Sequence, residues 1–472
     1  MKTSRRSFIR TGAEALAFPF IAGSFGPAAY GGGRKLAPNE KVRLACIGIG
    51  HQGGGDIGSL YGTKLCDVVA LCDTDLGAEQ TRENLKKFPK AATFHDFRKM
   101  FDAYDAGKLQ FDAVLVGTPD HAHFPQTMAA LKRRLPVYVE KPLAHTFEEC
   151  RLLIEAEKKY GGIVQMGNQG HSGKNYFQFR EYVEKGHVKD VERIVAHMNM
   201  SRRWHRWNGK VDSFPKEDPL PETLDWDTWL GTVGLPLKHS KYLTEGNWRC
   251  WYELGNGALG DWGAHIIDTC HRFLELGLPY EIGVRNVTGH NGFVFPMNCT
   301  LDFRFAANAT RGPVTIEWYE GQENVPEVPK NFVQPTRDGD IPPPGGVKDA
   351  KKAKLSPGKE IYQRDGRVWA GASHTGPLLD LAAPGSEPAY PPCGSNHYAN
   401  FLLAAKGEEK TRSPISVTGP LCQTFALGCI AQRLNRTIRF DAKTQTVVGD
   451  PQANALLKGP PPRKGWEEFY RI

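Results

Sequence analysis

The sequence predicts an α/β chain in which a doubly wound parallel sheet comes first and a second α/β domain follows. Two observations carry that prediction. Short apolar runs alternate with helix-period segments over residues 41–166, and strands that are apolar throughout belong to parallel sheets covered on both faces. The first of those runs also ends in a glycine-rich turn of the kind that opens a helix against such a sheet.

Taken in order, Val42-Arg43-Leu44-Ala45-Cys46-Ile47 is the first strand, and it leads into Gly48-Ile49-Gly50-His51-Gln52-Gly53. Residues 68–72 form a second strand ending at Asp73, and 111–116, 137–139 and 163–166 are further strands. Phe147, Cys150, Leu153, Ile154 and Ala156 recur close to a 3.6-residue period, which predicts a helix over 146–160. Later, 191–200, 281–288, 297–305 and 313–319 read as strands, and 396–405 and 421–434 as helices. Residues 321–395 are rich in Pro, Gly and Lys and read as a long irregular excursion. The expected organisation is a leader over 1–33, a first domain over 34–172 and a second over 173–472.

Composition narrows the function classes. Half of the net charge of +8 sits in residues 1–34, and the remainder is too weakly and diffusely basic for nucleic acid. The ten cysteines include no CxxC pair, so buried thiols are expected rather than a disulfide framework or a zinc site. Ser4-Arg5-Arg6-Ser7-Phe8-Ile9-Arg10 reads as a twin-arginine signal, followed by a mildly apolar stretch that Glu14 and Pro19 interrupt. That leader implies handling by the twin-arginine (Tat) export machinery and a periplasmic or secreted protein. No later run reaches membrane-spanning length.

The glycine turn has the spacing of the Rossmann fingerprint, G-x-G-x-x-G between strand and helix, with Asp73 twenty residues after Gly53. Gly48 permits the tight turn, Gly50 lets the backbone approach a pyrophosphate, and Gly53 allows close packing. His51 and Gln52 lie between them, at a helix start that favours phosphate. Asp73 would accept hydrogen bonds from a ribose diol and repel a 2′-phosphate, favouring NAD over NADP. Three clusters follow at the carboxyl ends of strands, where such a sheet presents its ligand face. They supply Thr118, Pro119, His121 and His123, then Glu140 and Lys141, then Asn168 and Gln169 as expected cofactor contacts. The two histidines lack a convergent carboxylate or cysteine, so no metal site is expected.

Further on, Asp261 and His265 stand four apart on a predicted helix, with Asp268 and Arg272 continuing the stripe. Spacing alone allows a catalytic pair or a solvated row of ion pairs equally. The glycine fingerprint, Thr118-Pro119, Glu140-Lys141-Pro142 and the later G-x-x-x-D-x-x-x-H together resemble the Gfo/Idh/MocA oxidoreductases. Met166-Gly167-Asn168-Gln169-Gly170-His171-Ser172 adds a likeness to that family's bacterial, twin-arginine-exported branch. The resemblance implies a Rossmann domain followed by an α/β domain whose open, largely antiparallel sheet makes homo-oligomer contacts. It further implies cofactor contacts at Glu140, a catalytic lysine at Lys141 and a catalytic pair at Asp261 and His265.

Hydride transfer from a secondary alcohol then suggests roles. His265 would take the hydroxyl proton, Asp261 would orient it, and Lys141 would stabilise the developing alkoxide, with lysine and histidine exchangeable. Seven of the ten tryptophans fall between Trp204 and Trp262, and aromatic faces stack on sugar C–H surfaces, although any single one is expected to pack loops onto the core. Leu224-Asp225-Trp226-Asp227-Thr228-Trp229-Leu230-Gly231 reads as such packing, whereas His171, Arg249 and Trp251 are the expected substrate contacts. The functional expectation is an oxidoreductase acting on a sugar, polyol or glycoside with tightly held NAD. The alternatives are an NAD-dependent glycosidase and a non-catalytic binding protein, the last disfavoured by intact Lys141, Asp261 and His265.

Overall fold

The computed structural model describes residues 36–199, 211–335, 355–374 and 376–472. The leader motif, Trp204 and Trp207 lie outside the described residues. The first unit alternates strand and helix without exception: β1 (Val42–Ile47), α1 (His51–Gly62), β2 (Cys66–Cys72), α2 (Glu79–Lys87), β3 (Ala92–Phe94), α3 (Phe97–Asp105), β4 (Ala113–Val116), α4 (Asp120–Lys132), β5 (Val137–Val139), α5 (Phe147–Tyr160) and β6 (Val164–Met166). The strands form one parallel sheet in the order β3-β2-β1-β4-β5-β6. Successive residues face opposite ways. Ala45, Ile47, Val114, Val116, Val137 and Val139 enter one core, while Leu44, Cys46, Ala113, Leu115 and Tyr138 enter another. That is why these strands read as largely apolar runs, with Arg43 and Asp67 near their starts. Helix α5 is framed by a capping box between Thr146 and Glu149 and a left-handed Gly161.

The second unit adds α6 (Lys174–Glu184), β7 (Val191–Met198), α7 (Trp226–Leu230), α8 (Gly257–Ile266), α9 (Asp268–Phe273), β8 (Glu281–Thr288), β9 (Asn298–Phe305), β10 (Val314–Glu320), β11 (Gly358–Gln363), β12 (Val368–Ala372) and β13 (Leu378–Asp380). It closes with α10 (His397–Ala405), α11 (Ile415–Leu434), β14 (Ile438–Asp441), β15 (Thr446–Val447) and α12 (Pro451–Lys458). Its nine strands run β13-β12-β11-β7-β10-β9-β8-β14-β15. Every pairing is antiparallel except β7 with β10. Ile194, Leu301, Phe303, Ile316 and Trp318 of this sheet join the same core as Ile47 and Val116, so the two units share one apolar interior.

Three differences from the sequence reading have physical causes. The stretch read as irregular carries β11, β12 and β13, and its buried polar side chains find partners in place. Buried Lys359 donates from Nζ to the Ile266 carbonyl (2.7 Å) and Thr269 Oγ1 (3.1 Å), and Glu360 lies 3.3 Å from His197 Nε2. Helix α11 starts six residues early and runs through Pro420. Helix α10 belongs spatially with the first unit, where Phe401 and Leu402 complete the core behind β1.

Glu320, at the end of β10, is buried and accepts from Trp318 Nε1 (2.8 Å) and Gln432 Nε2 (2.9 Å). Burial pushes its carboxyl up to about 7. The folded chain therefore holds this proton more tightly than the unfolded chain. The associated stability is complete below the ordinary pKa near 4.5 and is lost as pH rises through about 7. Glu320→Gln is expected to remove a loss of about 3 kcal/mol between about pH 4.5 and 8. Urea unfolding of both proteins across that range checks this, and parallel profiles would refute it.

Candidate active site

The β1–α1 turn admits only glycine at two points. Gly48 has φ +77°, and a Cβ on Gly53 would lie 2.1 Å from the Gly48 carbonyl oxygen. Helix α1 then begins with Gly50 as its N-cap, and among the described residues no side chain hydrogen-bonds to it as a cap. The Asp73 carboxylate, following β2, is fixed by two backbone donors, Ile49 N–H at 2.9 Å and Asp75 N–H at 3.1 Å. A bare turn, an uncapped helix start and a fixed acid together fit the pyrophosphate and adenosine ribose of a dinucleotide. His51 and Gln52 are exposed at the helix start, and Gln52 Nε2 donates to Asp56 Oδ1 at 3.0 Å.

The dinucleotide crevice of a sheet in this order runs past the carboxyl ends of β1, β4 and β5. Glu140 and Lys141 directly follow β5, with a cis bond between Lys141 and Pro142. Glu140 crosses over Gly167, where a Cβ would lie 2.1 Å from its Oε1. Helix α8 approaches this loop through Gly260, whose added Cβ would lie 3.4 Å from Pro142 Cγ. That approach brings Lys141 Nζ to 2.8 Å from Asp261 Oδ1 and 3.7 Å from Glu140 Oε2. Arg249 Nε completes the cluster 3.5 Å from the same Asp261 oxygen, its guanidinium over the Trp248 ring. One turn after Asp261, His265 stacks on His374 with centroids 3.9 Å apart. Asp261 and His265 are buried, which removes the solvated-stripe alternative. The helix breaks at Ile267, and buried Asp268 pairs with His171 instead of continuing a stripe.

The remaining expected residues divide by what they touch. Thr118 Oγ1 donates to Gln126 Oε1 at 2.7 Å, and Pro119 caps α4. His123 bridges the carbonyls of Pro142 and Thr118, both at 2.7 Å, and His121 bridges those of Trp229 (2.8 Å) and Leu254 (3.3 Å). Those contacts place both rings as braces between the ligand-face loops. Gln169 Nε2 reaches the hydroxyls of Tyr138 and Tyr398, and buried Asn168 lies 3.4 Å from Asp268. His171 is fully buried with Nδ1 2.7 Å from Asp268 Oδ2, and Trp251 is 2% exposed in an apolar cluster with Nε1 donating to the Tyr242 carbonyl. Trp251 also lines a cavity with Phe214, Asp218 and Tyr242, while Arg249 stands in the polar cluster around Asp261. Trp226 and Trp229 stack at 4.6 Å as loop packing.

Residues 42–168 match the family model for an oxidoreductase family with an NAD-binding Rossmann fold, and 177–293 match the model for that family's C-terminal alpha/beta domain. The chain belongs to the Gfo/Idh/MocA oxidoreductases. Within that family it is 30% identical over 150 residues to inositol 2-dehydrogenase of Salmonella typhimurium, covering 31% of this chain and 43% of that one. It is 32% identical over 173 residues to a glycosyl hydrolase family 109 protein of Solibacter usitatus, covering 35% and 39%. The chain spans about half the length of the curated relatives it matches. The WlbA dehydrogenase from Bordetella pertussis, solved with NADH and UDP-GlcNAcA, shares the fold at TM-score 0.55 and 13% identity, over 85% of this chain and 99% of that one.

Three site residues escaped the sequence reading. Asp120, buried beside Lys141 and Arg249, accepts from the Asn256 backbone at 3.0 Å, and burial pushes its carboxyl up against the pull of both cations. It lies inside the Thr118–His123 motif and was legible there. Asp56 and Tyr398 were not: they meet only because α10 returns to the first sheet, where Tyr398 donates to Asp56 Oδ1 at 2.9 Å.

Proposed function

We propose that this Gfo/Idh/MocA oxidoreductase transfers hydride between a secondary alcohol of a sugar, polyol or glycoside and a tightly held NAD. The observation that carries the reading is the convergence of Lys141, Asp261 and Arg249 at the nicotinamide end of the crevice, with His265 one turn along α8. NAD, when bound, supplies the hydride acceptor. Lys141, paired with Asp261, donates a hydrogen bond to the substrate oxygen and stabilises charge developing there. His265 takes the hydroxyl proton. Arg249 holds a second substrate oxygen. The similarity to an inositol dehydrogenase supports a polyhydroxylated ring as substrate class. The twin-arginine motif in 4–10 supports export in the folded state and work in the periplasm, where a retained cofactor avoids loss.

Asp73 supports NAD over NADP, since a 2′-phosphate would meet its fixed carboxylate. The test is a panel of inositols, aldoses and glycosides with either nucleotide, followed at the nicotinamide absorbance with product analysis. A keto product with NAD preferred is expected, and Asp73→Ser should narrow the preference. Equal use of NADP by the unmodified protein would refute the cofactor assignment. Free reducing sugar without net nicotinamide reduction would mean glycoside cleavage instead.

A further inference from the structure

The base of the proposed reaction is held by a residue of the second sheet. His265 is the last residue but one of α8, and the helix breaks just after it, at Ile267. Thr269 N–H, which a continuing helix would aim at the His265 carbonyl, turns to Asp268 Oδ1 at 2.7 Å. The His265 carbonyl accepts from the backbone N–H of His374 at 2.8 Å. His374 stands two residues past β12 with φ +65°, the left-handed region that a side chain with a Cβ rarely occupies. Its carbonyl oxygen crosses Gly170, where a Cβ would lie 2.9 Å away, so this residue is wedged between α8 and the loop after β6. The conformation lays the His374 imidazole flat on that of His265, with centroids 3.9 Å apart and planes within 12°. Trp262 meets both rings edge-on, 5.4 Å from His374 and 6.2 Å from His265.

We propose that His374 is a positioning residue whose ring fixes the angle at which His265 meets the substrate hydroxyl. The inference rests on the reading above that His265 takes the hydroxyl proton. The χ2 torsion of a histidine has broad wells and sets no sharp ring direction by itself. A catalytic group has to be held within roughly 10–20° of its productive geometry, so packing must supply what the torsion does not. With His374 in van der Waals contact on one face, rotation about χ2 drives the edge of the His265 ring into its neighbour. The backbone hydrogen bond ties the clamp to the same residue that it holds. A left-handed residue persists where its surroundings demand it, and here the demand is two contacts to one catalytic base. His374 itself moves no proton, so a flat ring without nitrogen serves equally well.

The test reads kcat and KM on the inositols, aldoses and glycosides of the panel above, with NAD binding and urea unfolding measured beside them. His374→Asn tolerates the left-handed backbone and keeps the N–H donor while removing the ring. Its kcat should fall about tenfold or more, with KM and NAD affinity within about twofold of the unmodified protein. His374→Phe restores a flat face and should return kcat to within about threefold. In a His265→Ala background the Asn change should cost nothing further, because no ring is left to aim. A merely structural His374 would lower turnover there as well. Should His374→Asn not fold, His374→Gly accepts the same φ and takes its place. Undiminished kcat in the ring-less variant, a loss that Phe does not restore, or an equal loss without His265 would overturn the proposal alone. Undiminished turnover in His265→Ala, or no panel compound turned over by the unmodified protein, would overturn the base reading and this inference with it.

Discussion

Lys141→Ala is expected to lower turnover by about a hundredfold or more while NAD still binds, the scale of a lost charge-stabilising group. The reason is local. Lys141 Nζ stands 2.8 Å from Asp261 and 3.7 Å from Glu140, with its side chain only 10% exposed. Removing it leaves two acids facing a substrate oxygen that is gaining negative charge, so the substitution reverses the local field as well as deleting a donor. Binding of the adenosine half should change little, because Asp73 and the β1–α1 turn lie across the sheet from Lys141. Steady-state kinetics on the substrate found by the panel, with nucleotide binding measured separately, checks the split. Turnover near that of the unmodified protein would remove Lys141 from the chemistry.

The largest expected effect on stability is at Phe401. Its ring is fully buried in the core behind β1 and meets Tyr138 edge-on at 5.7 Å. Phe401→Ala should cost about 3–5 kcal/mol, combining lost burial with the cavity left behind. Because α10 also carries Tyr398 to Asp56, the same change should weaken nucleotide binding despite its distance in sequence from the glycine turn. Denaturant unfolding gives the first result and calorimetry the second. A change below about 1 kcal/mol would mean that α10 is not an integral cover of the sheet.

What could be read in the sequence follows the range of the forces involved. Strands β1, β2, β4 and β5 were legible because a sheet covered on both faces demands largely apolar runs, and α5 because its apolar residues keep a 3.6-residue period. Strand β3 has three residues and no pattern to offer. Strand β11 was hidden because Lys359 and Glu360 look like surface residues until Ile266, Thr269 and His197 are seen to satisfy them. Lys141, Asp261 and Arg249 were chosen from separate motifs, and the fold brings them together across 120 residues of chain. His171 and Trp251 were chosen for their chemistry alone, and burial against Asp268 and in an apolar cluster decides their contacts. The meeting of Asp56 with Tyr398 is wholly tertiary.

The lone parallel contact in the second sheet, β7 with β10, has a consequence for how such a protein diversifies. Between β7 and β8 the chain must cross over three strand positions before the β8-β9-β10 meander can return beside β7. That crossover carries Arg249, Asp261 and His265, while the ladder beneath it is registered by backbone pairing elsewhere. Exchanges confined to the part ahead of α8 leave the strand pairings untouched, whereas Ile266 and Thr269 must stay to satisfy Lys359 of β11. That first part of the crossover, with Arg249, is therefore a natural graft point, where a relative's segment can be transplanted to change which alcohol is recognised while the nucleotide half stays as it is.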